Sequence, residues 1–302
     1  MRAAMAPEIL YAGGTGSPGR QTNIYLAPSM DTGGRGLLDN RVGYNQTRKG
    51  AIGIGIGSYR TLRANPATKA AANIAALAHV VSGTPMTLVS TTGAGVSVLA
   101  TALTVWGSGN IAPVNALALD GAPGLVNFGA ANPSGLYPLS WYDWTLSLAR
   151  CVSVTGVAAG SGGTILVSGA DLYGYPQTQL MTLAAGVNTV NSTKAFKFIY
   201  SVVPQFTDAN NVSVGTADIF GFPMRADNIE DVTIWWGSAL QTANTGFVAA
   251  VTTSPSTNLL GDVRGTYAVQ SASDGTKILS FMQLPGLARS VTSVGVWGVT
   301  PV

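Results

Sequence analysis

The sequence predicts an all-β protein, built as one or two β-sandwich or jelly-roll-like blocks that follow an extended N-terminal arm. After residue 84, about a dozen short segments rich in β-branched and aromatic residues follow one another. Turn signals such as Ser-Gly, Asp-Gly and Asn-Pro separate these segments, and only one helical pattern precedes them. Many short strands without intervening helices are typical of sandwiches, jelly rolls and barrels.

Residues 1–60 are expected to form the arm, because they contain repeated Gly, Pro and Asn with little periodicity. The arm is basic, but its cations are scattered rather than clustered with aromatic residues. This spacing favours an acidic protein surface as the partner and disfavours nucleic acid. The candidate contact residues of the arm are Arg20, Arg35, Arg41, Arg48, Lys49 and Arg60.

A short α-helix is predicted at about residues 65–82. Asn65 would be its N-cap and Pro66 its first residue, and Ser82-Gly83 would end it. The apolar stripe of this helix would consist of Ile74, Leu77, Ala78 and Val81.

The predicted strands divide into two blocks, residues 61–224 with the helix and residues 225–302. Apolar alternation breaks between them at the charged segment MRADNIED. The two blocks can still pack together as one unit. In the second block, the Asp274-Gly275 turn is expected to close a hairpin between the segments TYAVQ and KILSFMQ.

A repeated pattern connects two strands of the first block. TILVSGADLYGYP at residues 164–176 returns as NVSVGTADIFGFP at residues 211–223. Each copy predicts a half-buried strand that ends in a turn, where Asp bonds its own backbone and Gly takes a positive φ. The expected structural turn residues are Asp171, Gly174, Asp218 and Gly221.

The adjacent residues Trp235 and Trp236 must point to opposite faces of their strand. Val232, Ile234 and Trp236 share one face by parity, so this face is expected to be the buried one. Trp235 is then a candidate interface residue, because exposed Trp often anchors contacts.

The composition predicts a surface with few charges. Charged residues make up 10% of the chain, against roughly 25% in typical soluble domains. A neutral surface of Thr, Ser, Asn and Gly suits a chain that packs against other chains. A secreted β-protein with few charges would explain the same composition.

No catalytic, cofactor or metal motif is present, so the sequence predicts a protein without enzymatic activity. The glycine clusters at residues 14–19 and 53–57 lack the strand before and the helix after that nucleotide loops require. One histidine, His79, and one cysteine, Cys151, do not suffice for the usual zinc sites. Cys151 lies in the apolar run LARCVSVTG and is expected in the core.

A glycosidase is the remaining enzymatic alternative, because it needs only two carboxylates beside a sugar site. The candidate acids are Asp171, Asp218, Asp227, Glu230 and Asp231. The matched turn positions of the first two, and the solvated strand edges expected for the last two, favour structural roles. No apolar run approaches the ~20 residues of a membrane span, and the start of the chain does not look like a signal peptide.

Several motifs resemble a group of tailed-bacteriophage structural proteins, in which similar motifs recur in the same order. They are LSWYDWTLSLARCVSVTG, ILVSGADLYGYP, KAFKFIYSV, VSVGTADIFGFP and DVRGTY. The resemblance covers about residues 75–270 and leaves the arm unmatched. Ala170 departs from the pattern, where Thr is expected, and this change leaves the predicted turn intact.

The resemblance implies a virion component, a capsid decoration (cement) protein of a short-tailed or related phage. It would be made in the bacterial host cytoplasm and lie on the capsid surface. Its expected partners are the major capsid protein and further copies of itself, as a homo-trimer or homo-dimer, with no membrane. The alternative is a tail, neck or fibre protein with a carbohydrate- or host-recognising aromatic surface. A shell-forming subunit is disfavoured because the sequence lacks a long spine-type helix.

Overall fold

A computed structural model describes residues 60–283, with gaps at 101, 106–108, 122–124, 128–139, 143–147, 158–159, 161, 173, 242–243 and 252–260. The described residues form strands and two short 3-10 turns, at Ile229–Asp231 and Asn244–Gly246, and contain no α-helix. The strands are β1 (Arg60–Ala64), β2 (Ala75–Val80), β3 (Val96–Val98), β4 (Leu103–Val105), β5 (Gly109–Ala112), β6 (Leu117–Leu119), β7 (Leu125–Asn127), β8 (Ser140–Tyr142), β9 (Arg150–Gly156), β10 (Gly163–Ala170), β11 (Pro176–Leu183), β12 (Thr189–Phe196), β13 (Phe198–Pro204), β14 (Asp208–Gly221), β15 (Val232–Trp236), β16 (Ala239–Gln241), β17 (Phe247–Val248), β18 (Thr266–Ala268) and β19 (Leu279–Gln283).

The strands form three antiparallel sheets and two short ribbons. Sheet I has the order β1-β19-β15-β16, and sheet II has the order β11-β10-β13-β6-β3. Sheet III has the order β12-β9-β14-β18-β17, and β2 also pairs with β14. The ribbons are β4-β5 and β7-β8. The prediction of an all-β, sandwich-like fold is confirmed.

The larger core lies between the apolar faces of sheets II and III. Alternate residues of the strands are buried there, as the period of a strand requires. Sheet II contributes Ile165 and Val167, and sheet III contributes Val152 and Val154. Cys151, on the same strand as the last two, is fully buried outside this cluster, as predicted for a core residue.

A second core lies on the inner face of sheet I. Ile234, Trp236 and Phe281 point into it and are at most 5% exposed. They meet Phe220 and Phe222, which come from the end of β14 and the residues after it. Trp235 points the other way and is 40% exposed, so the predicted parity of this strand is confirmed.

Strand β14 connects the two cores. It pairs with β2 between residues 208 and 214, and with β9 from 212 to 216 and again at Phe220. Its last three residues, 219–221, also pair with β18. Sheet III therefore takes strands from both sides of residue 224. All described strands belong to one compact unit, Tyr59–Val302. The predicted boundary near residue 224 stays a prediction.

The predicted helix at residues 65–82 is wrong. Residues 75–80 form strand β2, whose backbone pairs with β14 at positions such as Ala78 opposite Val212. Two residues of the expected apolar stripe, Leu77 and Val81, are 49% and 46% exposed. The unpaired edge of the long strand β14 offers backbone hydrogen bonds, and this long-range pairing overrides the helical propensity of the Ala-rich segment.

The predicted hairpin around Asp274 and Gly275 is also wrong, although the turn exists. Gly275 has a φ of +80°, and the Asp274 carboxylate accepts hydrogen bonds from the backbone N–H groups of Thr276 and Lys277. The strands on either side do not pair, because β18 belongs to sheet III and β19 to sheet I. The turn therefore carries the chain from one sheet to another.

Gly169 is required by close packing at a bulge. The register between β10 and β13 shifts at Ser168/Gly169. A Cβ atom at Gly169 would lie 1.9 Å from the carbonyl oxygen of Phe198 and 2.9 Å from the ring of Phe196. The backbones of β10 and β13 cannot move apart at this point without breaking hydrogen bonds of the sheet.

We expect Gly169→Ala to lower the free energy of unfolding by about 3 kcal/mol or more, through overpacking. Gly275→Ala is the matched control, since its Cβ would meet nothing within 4 Å and only the positive φ opposes it. That control should lose about 1 kcal/mol. Urea unfolding of both variants measures the difference, and equal losses would contradict the proposed clash.

Candidate functional site

The most distinctive feature of the interior is a cluster of buried charges around Arg150. The guanidinium group of Arg150 is fully buried and forms ion pairs with two carboxylates. Its Nη1 lies 3.0 Å from Oδ1 of Asp120, and its Nη2 lies 2.8 Å from Oδ1 of Asp218. Nη2 also donates to the Ser273 hydroxyl at 2.9 Å, and this hydroxyl lies 2.6 Å from the same Asp218 oxygen.

Backbone carbonyls and an aromatic ring complete the surroundings of Arg150. Its Nε donates to the carbonyl of Ala217 at 2.6 Å, and Nη1 donates to the carbonyl of Ala67 at 2.8 Å. The centroid of the Phe220 ring lies 5.0 Å from the guanidinium carbon. All three guanidinium nitrogens thus have acceptors, which a buried charge requires. The side chain connects β9, β14 and loops near residues 67, 120 and 273.

Lys197 is a second buried cation next to this cluster. Its ammonium group donates to the carbonyls of Leu119 at 2.5 Å and Gly121 at 2.9 Å, which flank Asp120. Burial lowers the pKa of Lys197 to about 8, although the Asp120 charge opposes this shift. Burial likewise raises the pKa of Asp120, against the attraction of Arg150. Asp120 has a positive φ of 53°, so the turn that carries it is held in a conformation that Asp tolerates better than most residues.

A second ion-pair cluster contains Arg264 and Asp171, whose Nη2 and Oδ2 atoms are 2.5 Å apart and whose side chains are each 2% exposed. The neighbouring Asp262 carboxylate accepts backbone hydrogen bonds from Ala195 and Arg264, both at 2.8 Å. Burial raises the pKa of Asp262. Lys194, also buried, directs its ammonium group to the carbonyl of Gly261 at 3.4 Å, and burial lowers its pKa.

The two aspartates of the sequence repeat occupy different backbone environments. Asp171 lies in a turn, where its Oδ1 accepts from the backbone N–H of Tyr175 and its carbonyl accepts from Gly174, which has a φ of +85°. Asp218 lies inside strand β14, so the prediction of a turn there is wrong. The strand continues because its last residues find a new partner in β18.

Gly221 is likewise inside β14 rather than in a turn, and it has no positive φ. Its role is close packing, because a Cβ atom there would lie 2.6 Å from Cβ of Ala195. What the two copies of the repeat share is electrostatic. In each copy the aspartate neutralises a buried arginine, Arg264 for Asp171 and Arg150 for Asp218.

Two glutamines of β11, in sheet II, form hydrogen bonds to the backbone of β12, in sheet III. Gln177 donates to the carbonyl of Ala195 at 2.8 Å. Oε1 of Gln179 accepts from the backbone N–H groups of Thr193 and Lys194, in the segment where β12 departs from the register of β9. These side chains satisfy backbone groups that an irregular edge would leave unpaired.

The described residues between 70 and 224 expose almost no charge. Every Asp, Glu, Lys or Arg described in this range has a side chain that is at most 12% exposed. These residues are Asp120, Arg150, Asp171, Lys194, Lys197, Asp208 and Asp218. In this part of the fold, the described charges are therefore used inside, and the exposed side chains are mostly neutral.

Three observations on the described residues bear on catalysis. A shallow cavity of about 280 Å³ is lined by Ala72, Asn73, Val89, Thr91, Gly93, Ala94 and Val96, none of which is an acid, a base or a strong nucleophile. Cys151 is fully buried, and burial raises its pKa to about 12, so its thiol stays protonated at neutral pH. Among the described residues, no three His, Cys, Asp or Glu side chains are placed to hold a metal ion.

The predicted contact residues have mixed outcomes. Arg20, Arg35, Arg41, Arg48 and Lys49 lie outside the described residues, and Arg60 is the first residue of β1. Of the candidate acids, Asp171 and Asp218 are paired with arginines, and Asp227 pairs with Arg225 at 2.8 Å. Trp235 lies on the outer face of sheet I.

No helix in the described ranges is long and apolar enough to cross a membrane.

No family model, curated protein or solved structure matches this chain. The buried cations were not predicted from the sequence. Arg150 in the apolar run LARCVSV, and Lys194 and Lys197 in KAFKFIY, are isolated charges among strand residues. Such a charge in an apolar strand is a signal for a buried ion pair.

We expect Arg150→Met to lower the free energy of unfolding by about 3–5 kcal/mol, because it leaves two buried carboxylates without their cation. Lys69→Met is the matched control. Lys69 also approaches Asp218, at 4.0 Å, but its side chain is 58% exposed, so the control should change stability by less than about 1 kcal/mol. Urea unfolding measures both, and a small loss for Arg150→Met would contradict the structural role of the cluster.

The pKa of Lys197 predicts a pH-dependent contribution to stability. Its native pKa of about 8 is below its unfolded value of about 10.4. The unfolded chain therefore holds more protons between these values, and this group increases stability as pH rises through the window. Below pH 8 both states are protonated, and the native state bears the full cost of the buried charge.

We expect the difference in unfolding free energy between wild type and Lys197→Met to shift by about 3 kcal/mol in favour of wild type from pH 7 to pH 10.5. Burial raises the pKa values of Cys151 and Tyr200 to about 12. Both proteins contain these two groups, so the effect of their titration on stability cancels in the comparison. Denaturant unfolding at several pH values measures it. A pH-independent difference would show that the ammonium group has an ordinary pKa.

Proposed function

We propose that this chain is a non-enzymatic structural protein of a bacteriophage virion, namely a capsid decoration protein. In this proposal, the basic arm at residues 1–60 and the surface of the β-sandwich bind the major capsid protein. The protein acts as a homo-trimer or homo-dimer on the outside of the head and stabilises it by bridging neighbouring capsomers.

The observation that carries the proposal is the exterior of the described residues between 70 and 224, which exposes almost no charged side chain. A protein that remains alone in solution usually depends on surface charges to resist association. A neutral polar exterior suits a protein whose surface meets other protein chains, because burying it does not require charges to be desolvated. Among the described residues in this range, the charged side chains are the buried ones.

The interior supports the same role. Arg150 alone bonds to groups from β14 and three loops, and Arg264 connects Asp171 after β10 to the segment before β18. Buried, fully hydrogen-bonded networks of this kind make a fold rigid and specific. Rigidity is useful to a protein that must hold two capsomers at a fixed distance under internal pressure.

The basic arm adds a mode of attachment. An extended segment that orders on its partner can wrap a large surface, and each contact raises the effective concentration for the next. The arm carries the candidate residues Arg20, Arg35, Arg41, Arg48 and Lys49. They would meet acidic groups on the major capsid protein.

We expect deletion of residues 1–50 to abolish binding to capsids that lack the protein, while the remaining chain keeps the urea midpoint of the full chain. Full-length protein with the five arm cations changed to Gln should bind weakly, and binding of both proteins should fall with added salt. Co-sedimentation with purified capsids measures binding. Undiminished binding by the deletion variant would contradict a role for the arm.

The copy number per virion separates this proposal from a tail, neck or fibre role. A decoration protein occupies icosahedral positions, so we expect hundreds of copies per particle rather than about a dozen. Quantified bands from purified particles give the number, and electron cryomicroscopy gives the position. Density only at the tail vertex would overturn the proposed location.

A further inference from the structure

The outer face of sheet I presents one row of side chains that crosses four strands. In the strand register, Arg63 of β1 lies opposite Ser280 of β19, and Ser280 lies opposite Trp235 of β15. Trp235 in turn lies opposite Leu240 of β16. Residues directly opposite one another in an antiparallel sheet point to the same face, so these four form one continuous row.

This row is exposed and carries a single kind of charge. Trp235 and Leu240 are 40% and 46% exposed, and Arg63 is exposed as well. In the described part of the chain, Arg63 has no ion-pair partner. The next row of the same face contributes Thr233 opposite Met282, so the described residues of these two rows include no acid.

The spacing in this row suits a ligand that has both a ring and a negative charge. Neighbouring strands are about 4.8 Å apart, so the Cα atoms of Arg63 and Trp235 are about 10 Å apart across the small side chain of Ser280. An arginine side chain can reach back over a gap of this size. A ring stacked on the Trp235 indole would then have its acidic substituent next to the guanidinium group.

We propose that this face, defined by Arg63, Ser280, Trp235 and Leu240, binds an anionic polysaccharide through sugar rings that carry a carboxylate or sulfate group. The indole face packs on the apolar side of a sugar ring, and the guanidinium forms paired hydrogen bonds with the acidic group. The hydroxyl groups of Ser280 and Thr233 lie between and beside them and can bond sugar hydroxyls. A purely acidic peptide such as poly-L-glutamate would satisfy Arg63 but would bring no ring for Trp235.

This inference goes beyond capsid decoration and does not depend on it, because it is drawn from the strand register and the exposed side chains of sheet I alone. Its test uses the full chain and defined polymers. The method is affinity electrophoresis in gels that each contain one polymer. Alginate supplies carboxylated sugar rings, dextran sulfate supplies sulfated ones, and neutral dextran supplies uncharged ones. Poly-L-glutamate supplies negative charge without a sugar ring.

We expect alginate or dextran sulfate to retard the wild-type protein, and neutral dextran and poly-L-glutamate to retard it much less. Trp235→Ala and Arg63→Gln should each weaken binding by about tenfold, the loss expected for one stacked ring or one charge-assisted bond. Tyr175→Ala, an exposed aromatic in the turn before β11, and Lys69→Gln, an exposed cation elsewhere, are the matched controls. Both should bind within about twofold of wild type.

Three results would overturn the proposal. The first is that neither anionic polysaccharide retards the wild-type protein. The second is that poly-L-glutamate binds as well as alginate and dextran sulfate, which would indicate a contact by charge alone, as with an acidic protein. The third is that Tyr175→Ala or Lys69→Gln weakens binding as much as the variants of sheet I.

Discussion

The fold depends on the need of one buried guanidinium group for acceptors. Arg150 begins β9, the strand between β12 and β14 in sheet III, and its charge has no access to water. A buried cation without partners would cost several kcal/mol. The loops that carry Asp120 and Ser273 must therefore come to the end of β9, and Asp218 must point towards it from β14. The ion pairs thus determine where loops distant in sequence are placed.

The same requirement explains the sequence repeat. The residues that the two copies share suggest two equal turns. Only Asp171 lies in a turn, however, and Asp218 lies within a strand. The chain reuses a strand followed by Ala-Asp because each copy has to bring one carboxylate to a buried arginine. Whether the backbone then turns or continues depends on the next available partner strand. For Asp218 that partner is β18.

Local features of the fold could be predicted from the sequence, whereas pairings between distant segments could not. The parity of Trp235 and Trp236 and the burial of Cys151 follow from the two-residue period of strands, which is a property of each segment alone. The segment at 75–80 became a strand only because β14 lies beside it. A helical pattern in an Ala-rich segment cannot reveal an open strand edge far along the chain. The proposed polysaccharide face on sheet I depends on the same kind of information, since Arg63 and Trp235 fall in one row only through the register of β19.

The placement of the charges connects stability to assembly. Buried ion pairs stabilise a fold less than apolar groups of the same shape would, but they penalise every arrangement in which a charge loses its partner. Between residues 70 and 224 the described charged side chains are buried, so this part of the fold is specific but has few surface charges to keep monomers apart. A neutral exterior of this kind would allow close contacts with other chains without desolvation of ions. Arg63 is exposed and has no ion-pair partner among the described residues. Because no described group neutralises that charge, a ligand of opposite charge is the simplest reason for its position in the same row as Trp235.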